Sequence, residues 1–327
     1  MANILLVESW DHYSTADIGK KWTVANNGTI SAGTGRNGTS SMRLSGSQPG
    51  PQFTVANLAT VYAGFAFKMS ATGAAALLRL YDGGGIQLDL ALNASNLFTV
   101  MRGASTAVAT ATTGALAANT YYYIEARFTL HASAGTCEVR VNGATVINAT
   151  GLNLITTANA YTNSVQLLSG GGFAAYDFDD VVITTDAFLG DVRVIAVFPA
   201  APGNYSQWTP SAGLGWQCVD EASMNSDTDY VSSSTPGQRN SYDFAAVGAT
   251  GAVKAVQHVA TMRKDDAGTR TVKQFARISG TDYDGSVVSV GDTYAMSRRV
   301  MAVNPATGTD WTVAQIDGSE FGSKLES

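Results

Sequence analysis

Residues 121–130, YYYIEARFTL, admit one regular structure. Tyr122, Ile124, Ala126, Phe128 and Leu130 fall on one side, and Tyr121, Tyr123, Glu125, Arg127 and Thr129 on the other. That period of two belongs to a β-strand with a core face. A turn at residues 132–135 leads to a second strand, in which Cys137, Val139 and Val141 face inward. Asn142-Gly143 then joins it to residues 145–148. Asn-Gly between alternating strands specifies a two-residue hairpin, because both residues accept positive φ. Val61, Ala63, Phe65 and Phe67 repeat the pattern. So do residues 77–81 and Ile86, Leu88, Leu90 and Leu92, joined across Asp82-Gly83-Gly84-Gly85, with Gln87, Asp89 and Ala91 expected on a wet face.

Composition agrees with a chain of short strands and tight turns. Of 327 residues 34 are Gly, and only 14% are charged, against about 25% in an average globular protein. The net charge of −6 argues against a nucleic-acid partner, which needs clustered Lys and Arg. No apolar run is long enough to span a membrane as a helix. The opening MANILLVESW lacks the basic start and long apolar core of a leader, so it reads as a first strand and secretion by that route is not expected. Cys137 and Cys218 read as reduced thiols used as small hydrophobes, and without a CxxC or His/Cys cluster no zinc site is expected.

The length suits two domains. Residues 173–198, FAAYDFDDVVITTDAFLGDVRVIAVF, read as a strand, a polar break at 184–186 and a second strand at 191–198. The expected domains are therefore 1–188 and 189–327. In the second, residues 199–210 read as a loop, and residues 252–263 and 269–278 as two strands around Asp265-Asp266-Ala267-Gly268. Thr312-Val313-Ala314-Gln315 is a capping box with Trp311 and Ile316 at the staple positions, which predicts one short helix near 313–318.

Several stretches resemble one group of bacteriophage structural proteins: the opening ESWDHY, the junction FDDVVITTDAFLGDVRV, and the closing AGTRTVKQFARISGT and NPATGTDWTVAQIDGSEFG. YIEARFTL followed by CEVRVNGATV is also similar to the central hairpin of laminin-G-like sandwiches. The resemblance implies an all-β chain with an N-terminal concanavalin-A/laminin-G-like jelly-roll sandwich and a C-terminal β-sandwich. It implies a non-enzymatic virion component (fibre, spike or head/tail decoration) acting in assembly and host-surface adhesion. Such a protein would assemble as a homo-oligomer, a trimer for preference, with other virion proteins and a host surface glycan as partners. It would reside in the virion after assembly in the bacterial cytoplasm. The alternative is a carbohydrate- or receptor-binding module that recognises a host surface polysaccharide.

No residue is assigned a catalytic role. His12, His131 and His258 have no activating neighbour visible in sequence. Glucanases of the concanavalin-A-like fold carry an E-x-D-x-E strand. Here Asp177 and Asp179 share a face, but Asp180 points away and no Glu is present. The Gly runs at 83–85 and 170–172 read as turns. Asp177, Asp179, Asp180 and Asp186 form the one acidic cluster that calcium would take, since that ion wants six or more oxygens; no other cofactor is expected. Trp10, Tyr13, Trp22 and Tyr81 are the aromatic candidates for stacking on a sugar.

Overall fold

The computed structural model describes residues 3–170 and 174–327. The predicted glycine turn at 170–172 and Phe173, the first residue of the junction stretch, fall largely outside the described residues. The chain is all-β and forms two compact units, residues 1–10 with 15–194 and residues 11–14 with 195–327.

Unit 1 contains β1 (Ile4–Glu8), β2 (Thr29–Ser31), β3 (Ser41–Ser45), β4 (Gln48–Leu58), β5 (Thr60–Met69), β6 (Ala75–Asp82) and β7 (Gly85–Leu92). It continues with β8 (Phe98–Arg102), β9 (Thr106–Thr110), β10 (Tyr122–Thr129), β11 (Gly135–Val141), β12 (Ala144–Leu152), β13 (Thr162–Ser169) and β14 (Ala175–Thr184). One sheet runs β12-β11-β10-β5-β14-β3-β2, with β1 beside β14, and the other β4-β13-β6-β7-β8-β9. Each sheet buries one face. Leu44, Phe65, Phe67, Ile124 and Phe178 do so from the first, and Phe53, Leu80, Leu88, Val100 and Val165 from the second. At Gly50 of β4 an added Cβ would lie 2.6 Å from Leu44 of β3, so the layers meet there at close quarters. This is a β-sandwich. The Asn142-Gly143 turn joins β11 to β12 with both residues at positive φ, 48° and 81°, as the hairpin signal requires.

In unit 2 the strands are β15 (Pro199–Ser206), β16 (Thr209–Pro210), β17 (Val231–Ser232), β18 (Arg239–Phe244) and β19 (Val256–Met262). They continue with β20 (Arg270–Ile278), β21 (Thr281–Val290), β22 (Ala295–Met301) and β23 (Ser319–Leu325). A five-stranded sheet, β15-β18-β23-β20-β21, meets the separate β19-β22 ribbon over a core of Ala276, Ile278, Met301, Trp311 and Phe321. The predicted helix is there, α2 (Val313–Asp317, numbered after a single-turn α1 at Ile18–Lys21 that nothing in the sequence signalled). Both arms of its capping box form: Gln315 N donates to Thr312 Oγ1 at 3.2 Å and Thr312 N to Gln315 Oε1 at 3.0 Å.

Three expectations about elements fail. Residues 191–198 are not a strand, because their first half is tied down by side chains of unit 1 rather than by a ladder. Residues 199–206, expected as a loop, form β15, an edge strand where Pro199 and Pro202 are tolerated. The strands either side of residues 265–268 do not pair with each other; β19 pairs with β22, and β20 with β21 and β23.

Candidate functional site

The junction strand β14 positions the acidic cluster. On one side it pairs with β5 throughout; on the other it pairs with β3 at residues 175–178 and with β1 at residues 181–184. The change of partner is made by a bulge after Asp179, where Asp180 takes φ 49°. Asp tolerates that left-handed conformation better than most residues. The bulge also overturns the alternation. Asp180, expected on the opposite face, is turned so that it and Asp179 both reach Arg36: Asp179 Oδ2 accepts from Arg36 N at 2.8 Å, and Asp180 Oδ2 lies 3.5 Å from Arg36 Nη1.

Each aspartate has a separate task. Asp177 is chelated by Arg43 Nε and Nη2 at 2.8 and 2.9 Å, with Lys68 Nζ at 3.3 Å and the Ser41 hydroxyl donating at 3.1 Å. These hydrogen bonds hold the Arg43 guanidinium above its usual range. Asp179 also accepts from the Thr39 hydroxyl at 3.2 Å and from Asp180 N at 2.8 Å. Asp180 Oδ1 accepts from Val194 N at 2.7 Å. Asp186 stands apart from the other three and accepts from Asn3 N at 2.8 Å. Among the described residues no group of three or more His, Cys, Asp or Glu is placed to share a metal. The set does not fit calcium, because cationic side chains and N–H donors already hold its oxygens.

The residues after β14 form a strap over the outer face of the larger sheet. Thr184 Oγ1 donates to Ala187 O at 2.6 Å. Phe188 meets Tyr62 edge-on at 5.0 Å, with the Arg140 guanidinium 4.1 Å from its ring. Gly190, at φ 79°, donates its N–H to Glu125 Oε1 at 2.8 Å. Asp191 pairs with Arg36 at 2.6 Å, and Arg36 Nη1 also donates to Val192 O at 3.3 Å. The strap explains why Tyr123 and Glu125, on the side of the strand opposite Ile124 and Phe128, are also buried. Burial pushes the Glu125 carboxyl up, with the Gly190 N–H opposing it, and raises the Tyr123 phenol well above its ordinary value.

The aromatic candidates separate as clearly. Trp10, Tyr13 and Trp22 are at most 2% exposed, so three of the four offer no surface to a sugar. Trp10 and Trp22 stack at 5.1 Å, over an ion pair that sequence reasoning missed. Lys21 Nζ lies 3.0 Å from Glu8 Oε2, with both side chains wholly buried. Glu8 also accepts from Trp10 N at 2.9 Å and Trp22 Nε1 at 3.0 Å, and Lys21 donates to Val7 O at 3.0 Å. The one available signal was a Glu ending an apolar strand between Val7 and Trp10. Tyr81 is different: half-buried on the outer face of the six-stranded sheet, it donates its hydroxyl to Gln166 Oε1 at 2.9 Å. Beside it Arg79 chelates Asp89 through two contacts of 2.7 Å. That pairing buries Asp89 on a face expected to be wet, while the 156–161 loop covers Gln87.

No protein-family model matches this chain, and no curated protein matches it. Solved structures do. An alginate lyase in complex with an alginate trisaccharide is 12% identical at TM-score 0.42, covering 56% of this chain and 98% of that one. A fungal endo-β-1,4-glucuronan lyase from Trichoderma reesei is 14% identical at TM-score 0.41, covering 50% of this chain and 91% of that one. The carbohydrate recognition domain of Emp46p is 8% identical at TM-score 0.37, covering 53% of this chain and 92% of that one. At such scores the likenesses carry no argument about ligand or reaction. The expectation of a non-enzymatic chain is withdrawn, because structures named as polysaccharide lyases are among those it is similar to.

Proposed function

We propose that this chain is a structural component of a bacteriophage virion, acting in assembly and in adhesion to polysaccharide on the host surface. One observation carries the reading. The stretch that resembles the phage junction, FDDVVITTDAFLGDVRV, is the stretch whose side chains and backbone make the bulge and the strap. Asp179, Asp180, Asp186, Phe188, Gly190 and Asp191 each hold a named contact that fixes where the chain leaves unit 1. The motif is thus architectural, which suits a subunit that must present its parts at fixed places on a particle. Low charge suits permanent protein contacts, whose cores are depleted of charged residues. The test is immunogold microscopy of particles purified from a culture that produces the chain, with antibody raised against it. Labelling at a fixed station on each particle is expected; unlabelled particles with the chain left in the soluble fraction overturn the reading.

A further inference from the structure

The outer face of the six-stranded sheet carries a transverse row set by strand register. Gln52 of β4 stands opposite Gln166 of β13, Gln166 opposite Arg79 of β6, and Arg79 opposite Asp89 of β7. Asp89 then stands opposite Met101 of β8, and Met101 opposite Ala107 of β9. From β4 to β8 the row crosses five strands, about 19 Å at the usual strand spacing, which is several sugar rings long. Alternation in each strand puts these residues outside while Phe53, Val165, Leu80 and Leu88 fill the core beneath them.

The polar groups of the row are fixed before any ligand arrives. Gln52 Nε2 donates to Ser164 Oγ at 2.5 Å, Gln166 Nε2 to Gly50 O at 3.1 Å, and Tyr81 to Gln166 as above. Gln166 and Asp89 are 2% and 3% exposed, so their rotamers are locked. Gln52, Arg79, Tyr81 and Met101 are half-buried and make up the surface offered to solvent. Charge selects the occupant. Arg79 is neutralised by a bidentate Asp89, which leaves planar amides, a guanidinium edge and one aromatic ring with no net charge. On a chain of net charge −6, such a surface has nothing to draw in a polyanion. Locked planar donors and acceptors beside an aromatic ring suit hydroxyl groups, and preorganisation removes the ordering cost of binding them.

We infer that this face is a binding platform for a neutral, hydroxyl-rich polysaccharide chain laid across the strands. The inference rests on the adhesive reading above and names the surface and ligand class for it. The experiment is saturation-transfer NMR and calorimetry of the full chain against neutral gluco- and manno-oligosaccharides, with alginate oligosaccharides as the anionic comparison. Binding to a neutral oligosaccharide is expected, weakened tenfold or more by Tyr81→Ala or Gln52→Ala with the thermal midpoint retained. Ala107→Trp, at an exposed position on the last strand of the row, should narrow the accepted length without touching a core residue, and it serves if the first two variants fold poorly. No binding to any neutral oligosaccharide overturns the inference, as does preference for alginate or affinity indifferent to all three variants. Particle labelling decides the virion role separately, so failure of one test leaves the other standing.

Discussion

The Glu8–Lys21 pair shows how a single residue can decide the stability of a unit. Two opposite charges with wholly buried side chains lie 3.0 Å apart beneath stacked tryptophans. Their mutual attraction offsets a desolvation cost of several kcal/mol per ion, so such a pair adds little net stability, but breaking it is expensive. Lys21→Met removes the cation paired with a buried Glu8 that also accepts from Trp10 N and Trp22 Nε1. The expected loss is about 3–5 kcal/mol in urea denaturation. Adding Glu8→Gln to the same chain should recover at least half of that loss. A single variant within about 1 kcal/mol of the parent would show that water reaches the pair and screens it.

Among the elements, the strap makes the most specific demand. Asp180 has two functions: it adopts φ 49° at the bulge and accepts from Val194 N. Asn keeps both the conformation and an acceptor, whereas Ala keeps neither. Asp180→Ala should cost about 1–3 kcal/mol through the orphaned Val194 N–H, and Asp180→Asn less. Arg193, exposed beside the latched Val194, supplies the readout. Limited trypsin digestion should spare it in the parent and cut there first in Asp180→Ala, with Asp180→Asn between; equal resistance in all three would mean that the other strap contacts suffice. The strap also marks where reading by periodicity stops. Alternation found β5, β6, β7, β10 and β11 because each must bury one face. It read residues 191–198 as a strand because nothing in a period of two distinguishes a ladder from an extended segment pinned by Asp180 and Arg36. The bulge defeated it in the same way, since one extra residue reverses every face assignment beyond it.

For the whole molecule, fold class was legible and the site was not, for a common physical reason. Core faces repeat along the chain, so a window of ten residues reveals them. The strap contacts and the row on the six-stranded sheet include residues more than a hundred positions apart, such as Gln52 with Gln166 and Arg36 with Asp180, and only the folded register brings them together. Acid response is another property set by the fold. His258 of β19 lies buried near Phe321, its Nδ1 without a hydrogen-bond partner. Burial first, and the nearby Arg299 second, lower its value from 6.5 to about 4. Between those values the unfolded chain binds a proton that the folded chain refuses, so stability rises with pH across the window. The contribution is complete above pH 6.5, falls as acid is added, and is lost below about pH 4. The shift corresponds to about 3 kcal/mol. The isoelectric point, near 5.0, lies inside that window, so charge repulsion vanishes where unit 2 is being weakened and aggregation should peak there. His258→Gln separates the two effects: its urea midpoint should vary less between pH 7 and pH 4.5 than the parent's, while the solubility minimum near pH 5 stays. A variant with the parent's full pH slope would assign the acid response to carboxylates such as Glu326, held low at about 2 by Lys324 and Lys273.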